Sequence, residues 1–165
     1  MVTTEPFPYG PEVLARIMAH CEADPEREVC GLVVRRGATG ALDTVSIPNA
    51  ADRYHAADPE RFPRTSRDSY LMDARAQLRC LEEIDRTGGE VVAVWHSHVE
   101  VGAYFSAKDR ADAVVDGVQQ MPGAEYLVFA VSAGKVTEAR RYRYEHGEFR
   151  ESVVLRDGQD GRGAI

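Results

Sequence analysis

The sequence predicts a single α/β (α+β) domain in which helices flank a mixed β-sheet. At 165 residues the chain fits one domain on the usual scale of about 150 residues per domain. Its composition, 44% hydrophobic and 28% charged, is typical of a globular chain with a buried core. Helical and strand patterns alternate first and a run of strand patterns follows, which indicates a sheet covered by helices.

The first predicted elements are a helix and a β-hairpin. The stretch "PEVLARIMAHCEAD" has apolar residues at helical spacing after a proline suited to a helix start. The segments "VCGLVVRRG" and "LDTVSI" are typical of strands, and the Gly-rich "GATG" separates them. Residues 48–68 contain three prolines and no periodicity. We expect them to form a long loop that borders a substrate groove.

The later elements follow the same reasoning. "DARAQLRCLEEIDRTGG" predicts a second amphipathic helix, and "EVVAVWHSH" predicts a strand that is mostly buried. A third helix is expected to start at Ser106 and to carry Ala111, Val114, Val115 and Val118 before "MPG" ends it. Strands are then predicted in "EYLVFAVSAG", "KVTEARRYRYEHG" and "EFRESVVL". The domain is expected over residues 1–155, with a frayed glycine-rich tail at 156–165.

Charge and composition argue against several classes of partner. Lys plus Arg is 20 and Asp plus Glu is 27, a net charge of -7 with no basic block, so nucleic acid is not expected as a partner. No segment approaches the roughly 18 apolar residues that a membrane span needs, and no export signal is evident. Cys21, Cys30 and Cys80 lie in apolar patterns, which predicts reduced core residues and a cytoplasmic protein.

Candidate catalytic residues gather where the strand "EVVAVWHSH" ends. His96 and His98 are two residues apart in an extended segment, so both imidazoles face one side, and Trp95 faces the core on the other. A catalytic zinc takes three protein ligands and leaves one position for water. Asp109 is the nearest candidate for the third ligand. However, "SAKD" also fits a capping box, which alone would account for Ser106 and Asp109.

Glu28 is the candidate general base. It directly precedes the apolar strand "VCGLVV", and a sheet could bring it beside the strand that ends in His96. Partial burial there would raise its pKa towards a value useful for proton transfer. Taken alone, Glu28 could equally be a solvated residue of "PERE".

Taken together, Glu28 and the pattern H-x-H-x7-S-x2-D resemble the signature of the JAMM metallopeptidases, also called the JAB or MPN+ family. The setting "E-x-C-G-L" is similar to that of compact bacterial Mov34/MPN/PAD-1-like members. The resemblance covers residues 10–145 and includes "PNAA". The sequence differs from many bacterial members of this family at Val99 and Phe105, where they have proline. The loop between the histidines and Ser106 is therefore expected to differ in shape or flexibility.

This resemblance implies a fold similar to that of cytidine deaminases and one zinc ion per chain, with a catalytic water as the fourth ligand. By position, Glu28 would activate the water and Ser106 would donate a hydrogen bond to the oxyanion. The implied metal ligands are His96, His98 and Asp109.

The family further implies hydrolysis of a peptide or isopeptide bond. The expected bond is at the C-terminal Gly-Gly of a ubiquitin-like protein or of a sulfur carrier of the ThiS or MoaD type. Residues 48–68 and 99–105 would line the groove for this tail. Arg61, Arg64 and Arg67 could meet an acidic carrier surface, although a solvated loop also accounts for them.

Two other functions stay open at this point. A zinc amidase or deaminase acting on a small molecule is the first, and the absence of a P-C-x-x-C ligand pair argues against a nucleobase deaminase. A non-catalytic MPN interaction module is the second, but such members usually lack the metal-site residues that this chain keeps. The sequence does not indicate the oligomeric state.

Overall fold

A computed structural model describes residues 1–157, which form four helices and nine strands. Seven strands build one sheet and two form a separate hairpin. In chain order the elements are β1 (Thr3–Thr4), α1 (Pro11–Ala23), β2 (Cys30–Arg35), β3 (Leu42–Ile47), α2 (Ala51–Ala57), α3 (Ala74–Arg86), β4 (Glu90–Val99), α4 (Ala107–Ala113), β5 (Val114–Val115), β6 (Val118–Gln119), β7 (Glu125–Ser132), β8 (Lys135–Glu145) and β9 (Glu148–Arg156).

The large sheet is mixed and has the strand order β1-β9-β8-β7-β4-β2-β3. Strand β4 pairs parallel with β7 and antiparallel with β2, so it lies inside the sheet. Because both neighbours satisfy its backbone groups, the end of β4 can be buried. This arrangement fixes the positions of the side chains at that end.

Helices cover both faces of this sheet, which confirms the predicted fold class. On one face, Val13, Ile17 and Cys21 of α1 pack in a core with Trp95 and Phe129. A second core on the other face joins buried residues of α3 and α4 to the sheet, among them Ile84, Ala113, Leu32 and Val128. The position of Trp95, opposite the histidines, is confirmed.

The predicted helices at 11–24 and 73–89, the β2–β3 hairpin and the strands β4, β7, β8 and β9 are confirmed, with small differences at their ends. The prediction of one long loop over 48–68 is wrong in part, because it contains the short helix α2. Its prolines flank the helix, and the Asn49 side chain accepts a hydrogen bond from the Ala51 backbone N–H at 3.0 Å.

The predicted third helix is wrong beyond Ala113, since Val114–Gln119 forms the β5–β6 hairpin. The turn is Asp116-Gly117, and both residues have positive φ, 51° and 77°. An Asp-Gly pair with this geometry is a strong hairpin signal, and flanking valines favour strands. The spacing of the valines suited a helix as well, and the turn residues decided against it.

The three cysteines are free, with Cys21 and Cys30 buried and Cys80 partly buried. Within residues 1–157, no helix combines the length and the apolar character of a membrane span. The predicted tail at 156–165 lies outside the described residues, apart from Arg156 at the end of β9 and Asp157.

Candidate metal centre

Two buried imidazoles meet at the end of β4. His96 and His98 point to the same face of the strand, as their spacing predicted, and their Nε2 atoms are 3.1 Å apart. His98 Nδ1 lies 2.9 Å from the carbonyl oxygen of Gly102. Because a carbonyl can accept but not donate, this contact places the proton on Nδ1 and leaves the Nε2 lone pair of His98 facing the cluster.

Asp109 joins the two histidines from the start of α4. Its Oδ2 atom lies 3.4 Å from His96 Nε2 and 3.6 Å from His98 Nε2. The same oxygen accepts a hydrogen bond from the Ser106 backbone N–H at 2.9 Å, and Ser106 Oγ accepts one from the Asp109 N–H at 3.0 Å. The capping box is therefore present, and it holds the Asp109 carboxylate against the imidazoles.

Glu28 reaches the cluster from the segment before β2. Its Oε1 atom lies 3.6 Å from His98 Nε2, and the residue is 5% exposed. Ser97 fixes this segment, because its Oγ accepts a hydrogen bond from the Val29 N–H and its own N–H donates to the Val29 carbonyl, both at 2.9 Å. The alternative of a solvated Glu28 is therefore wrong.

The two carboxylates have opposite electrostatic environments. Burial, opposed by the charge of His98, raises the pKa of Glu28 to about 8. Burial also acts to raise the pKa of Asp109, but hydrogen bonds with His96 and His98 outweigh it and hold that pKa well below its usual range. Such a separation of two neighbouring acids is typical of sites in which one group stays ionised and the other carries a proton.

The donor set fits a metal ion. Zinc bonds of about 2.0–2.1 Å at tetrahedral angles separate neighbouring ligand atoms by about 3.3 Å. The distances among His96, His98 and Asp109, 3.1 to 3.6 Å, agree with this value. Ligand atoms of Glu28, His96 and His98 also lie within 4.8 Å of one another. The cluster can therefore bind a metal ion, with two imidazoles and a carboxylate as its ligands.

A cavity of about 290 Å³ opens above the cluster, with Glu28, His98, Ser106 and Asp109 among its lining residues. Two segments supply most of the remaining lining. One contributes Arg64, Arg67, Asp68, Ser69 and Tyr70, and the other contributes Val99, Val101 and Tyr104. Parts of both segments expected to border a groove therefore border the cluster. Phe105 does not line the cavity, since its ring packs at 4.9 Å against Tyr142 in the core. It anchors the loop by packing at the position where the family resemblance led us to expect proline.

Comparison with known proteins identifies the family. Residues 10–145 match the family described as prokaryotic homologs of the JAB domain. The chain belongs to this family. The resemblance inferred from Glu28 and the H-x-H-x7-S-x2-D pattern is thereby confirmed over the same range.

Among curated proteins, this JAB domain is 28% identical to the desampylase of Haloferax volcanii over 142 residues, which are 86% of this chain and 87% of the relative. A solution structure of a protein from Desulfitobacterium hafniense has a TM-score of 0.62 at 18% identity and covers 98% of this chain and 97% of its own. A solution structure of a protein from Salinibacter ruber has a TM-score of 0.52 at 22% sequence identity. The match covers 100% of this chain and 95% of the Salinibacter chain. At these identities the two structures show a shared fold.

Three residues around the site of this JAB domain were not singled out from the sequence. The ring of Tyr70 stacks on His96 at 4.4 Å, and the ring of Tyr104 contacts His98 at 4.8 Å. Asn49 donates from Nδ2 to the carbonyls of Glu28 and Ser69, at 2.9 and 3.0 Å. Asn49 lies in the "PNAA" stretch, which was the available signal, whereas nothing in the local pattern indicated either tyrosine.

Proposed function

We propose that the protein is a zinc-dependent metallopeptidase. Its proposed substrate is a peptide or isopeptide bond at the C-terminal Gly-Gly of a ubiquitin-like β-grasp protein, with sulfur carriers of the ThiS or MoaD type included. The observation that carries the proposal is the convergence of His96, His98, Asp109 and Glu28 at one buried point beside an open cavity. The relationship to a desampylase supports removal of a ubiquitin-like modifier.

In this proposal His96, His98 and Asp109 hold the metal ion. Asp109 is chosen over Glu28 because its oxygen is close to both imidazoles and because its low pKa keeps it ionised. A zinc ion at this position would act as a Lewis acid and lower the pKa of a coordinated water. The other steps are assigned to side chains of this chain.

Glu28 moves the proton. Its carboxylate accepts the proton of the attacking water and then donates it to the leaving amine, which needs a group that can exist in both states near neutral pH. Burial raises the pKa of Glu28 to about 8, and the positive charge of a bound metal ion would lower it from there, towards the neutral range that this exchange needs. Ser106 can donate a hydrogen bond to the carbonyl oxygen of the substrate bond. Its Oγ accepts a hydrogen bond from the Asp109 N–H, and that bond does not use the hydroxyl hydrogen.

The cavity suits a tail without side chains. Glycines let an extended chain approach the cluster closely between Tyr70 and Tyr104, both of which line the cavity. The three unoxidised cysteines fit a reducing compartment, and we propose that the protein acts in the cytoplasm.

Metal analysis tests the proposed centre. We expect elemental analysis of protein purified without chelators to find about one zinc per chain, since three ligands and a water complete its coordination. The variants His96→Ala and Asp109→Ala are each expected to lose the metal, whereas His146→Ala, exposed in the turn between β8 and β9, should keep it. No metal in the wild type after addition of zinc would contradict the proposal and favour a non-catalytic module.

Replacement of Ser106 tests its proposed role. We expect Ser106→Ala to lower kcat for a Gly-Gly-(Nε)Lys isopeptide by about 100-fold, since loss of one oxyanion donor typically costs this much. Ser106→Thr keeps both the hydroxyl and the N-cap and should retain most of the activity. Equal activity of Ser106→Ala and the wild type, both with full metal content, would show that Ser106 is a helix cap and no more.

A further inference from the structure

One segment that lines the cavity carries two arginines that form no close ion pair within the described part of the chain. These two residues are Arg64 and Arg67. Neither forms an ion pair with a carboxylate among residues 1–157, whereas Lys108, which also lines the cavity, pairs with Asp112 at 2.6 Å. Asp68 is a carboxylate in the same segment. The cavity lining therefore carries both signs of charge, and within residues 1–157 the two guanidinium groups are not paired with any of its carboxylates.

The segment that bears these arginines is anchored. Ser66 lies between them and donates from its N–H and its Oγ to the carboxylate of Asp52 in α2, both at 2.7 Å. The Ser66 carbonyl in turn accepts a hydrogen bond from the Glu28 N–H at 2.6 Å. The backbone at Arg64 and Arg67 is therefore fixed to α2 and to the same residue that approaches His98, which differs from a freely solvated loop.

The second segment that lines the cavity is largely apolar. Val101 and Tyr104 are 49% and 51% exposed, although large apolar side chains are usually buried more deeply. The cavity is thus lined by the segment with the two arginines, by an apolar segment and by residues of the metal cluster. A substrate that enters the cavity therefore comes within reach of two guanidinium groups as its bond approaches the cluster.

We propose that Arg64 and Arg67 recognise acidic side chains next to the Gly-Gly tail of the substrate protein. Guanidinium groups bind carboxylates through paired hydrogen bonds and so select acidic over neutral sequences. This inference rests on the proposed function for the identity of the tail. General attraction cannot produce the same preference, because the net charge of the chain repels anions.

Binding of short peptides tests this recognition. The probes are two fluorescein-labelled peptides that end in a free Gly-Gly carboxylate and differ in having four Glu or four Gln before it. By fluorescence anisotropy, we expect about tenfold tighter binding of the Glu peptide at low salt, equivalent to about 1.4 kcal/mol. The preference should shrink when salt screens the charges. It should disappear in the double variant Arg64→Gln/Arg67→Gln.

Arg86→Gln is the matched control, since this exposed arginine ends α3, before the opposite end of β4. It should keep the full preference. Equal binding of the two peptides, or a preference that survives in the double variant, would overturn the proposal. Binding of an oligothymidylate as tight as that of the Glu peptide would also overturn it, since it would indicate a general anion site.

This design tests the recognition of acidic tails and the proposed peptidase activity independently of each other. Peptides that end in a free Gly-Gly carboxylate need no hydrolysis, so their binding reports on the arginines alone. Cleavage of a Gly-Gly-(Nε)Lys isopeptide is measured in parallel. Selective binding without cleavage would contradict the proposed function and leave the recognition of acidic tails standing.

Discussion

Replacement of Glu28 by Gln is expected to abolish turnover while the protein keeps its metal. The amide has nearly the same shape as the carboxylate but cannot accept and return a proton, and general acid–base catalysis typically contributes about 100- to 10,000-fold. His96, His98 and Asp109 remain to hold the ion. We therefore expect kcat for a Gly-Gly-(Nε)Lys isopeptide to fall by about 1,000-fold or more at unchanged zinc content.

Glu26→Gln is the matched control, because this exposed glutamate lies two residues away in the same segment. It should leave kcat and metal content unchanged. The opposite result for Glu28→Gln, loss of zinc, would assign Glu28 as a ligand in place of Asp109. The proximity of Glu28 to both imidazoles makes this a real alternative, and retention of zinc in Asp109→Ala would accompany it.

The parts of the site that could be predicted from the sequence depend on short-range geometry. The two-residue period of a strand directs His96 and His98 to one face, and the capping box couples Ser106 to Asp109 three residues later. Glu28 depends on a long-range feature, the pairing of β2 with β4, in which Cys30 lies opposite His96. Its position before the strand "VCGLVV" made it a candidate, and the resemblance to a known signature favoured it over a solvated residue.

The residues that were missed are placed by tertiary contacts. Tyr70 follows an irregular segment, and its position depends on hydrogen bonds that join this segment to Glu28, Asn49 and Asp52. No periodicity encodes such contacts. The error after Ala113 has a different cause, because a spacing that suited a helix lay beside an Asp-Gly turn, and local turn geometry prevailed.

Gly31→Ala is expected to destabilise the fold strongly, because the sheet leaves no room for a methyl group at this position of β2. A Cβ atom at this position would lie 2.3 Å from the carbonyl oxygen of Val45 and 2.5 Å from Cζ2 of Trp95. The carbonyl belongs to β3 and cannot move without breaking the sheet. The indole is held as well, because Trp95 Nε1 donates to Thr44 Oγ1 at 2.9 Å.

Since neither neighbour can yield, we expect Gly31→Ala to lower the free energy of unfolding by at least about 3 kcal/mol, the upper end for overpacking. Chemical denaturation with metal-free protein measures this without the contribution of bound zinc. Gly102→Ala is the control, because its Cβ would meet no atom within 4 Å. Equal stability of the two variants would show that β2 and β3 can separate locally. The expected loss of stability in Gly31→Ala would instead show that the glycine of "C-G-L" is required for the pairing of β2 with β4, which brings Glu28 to His98.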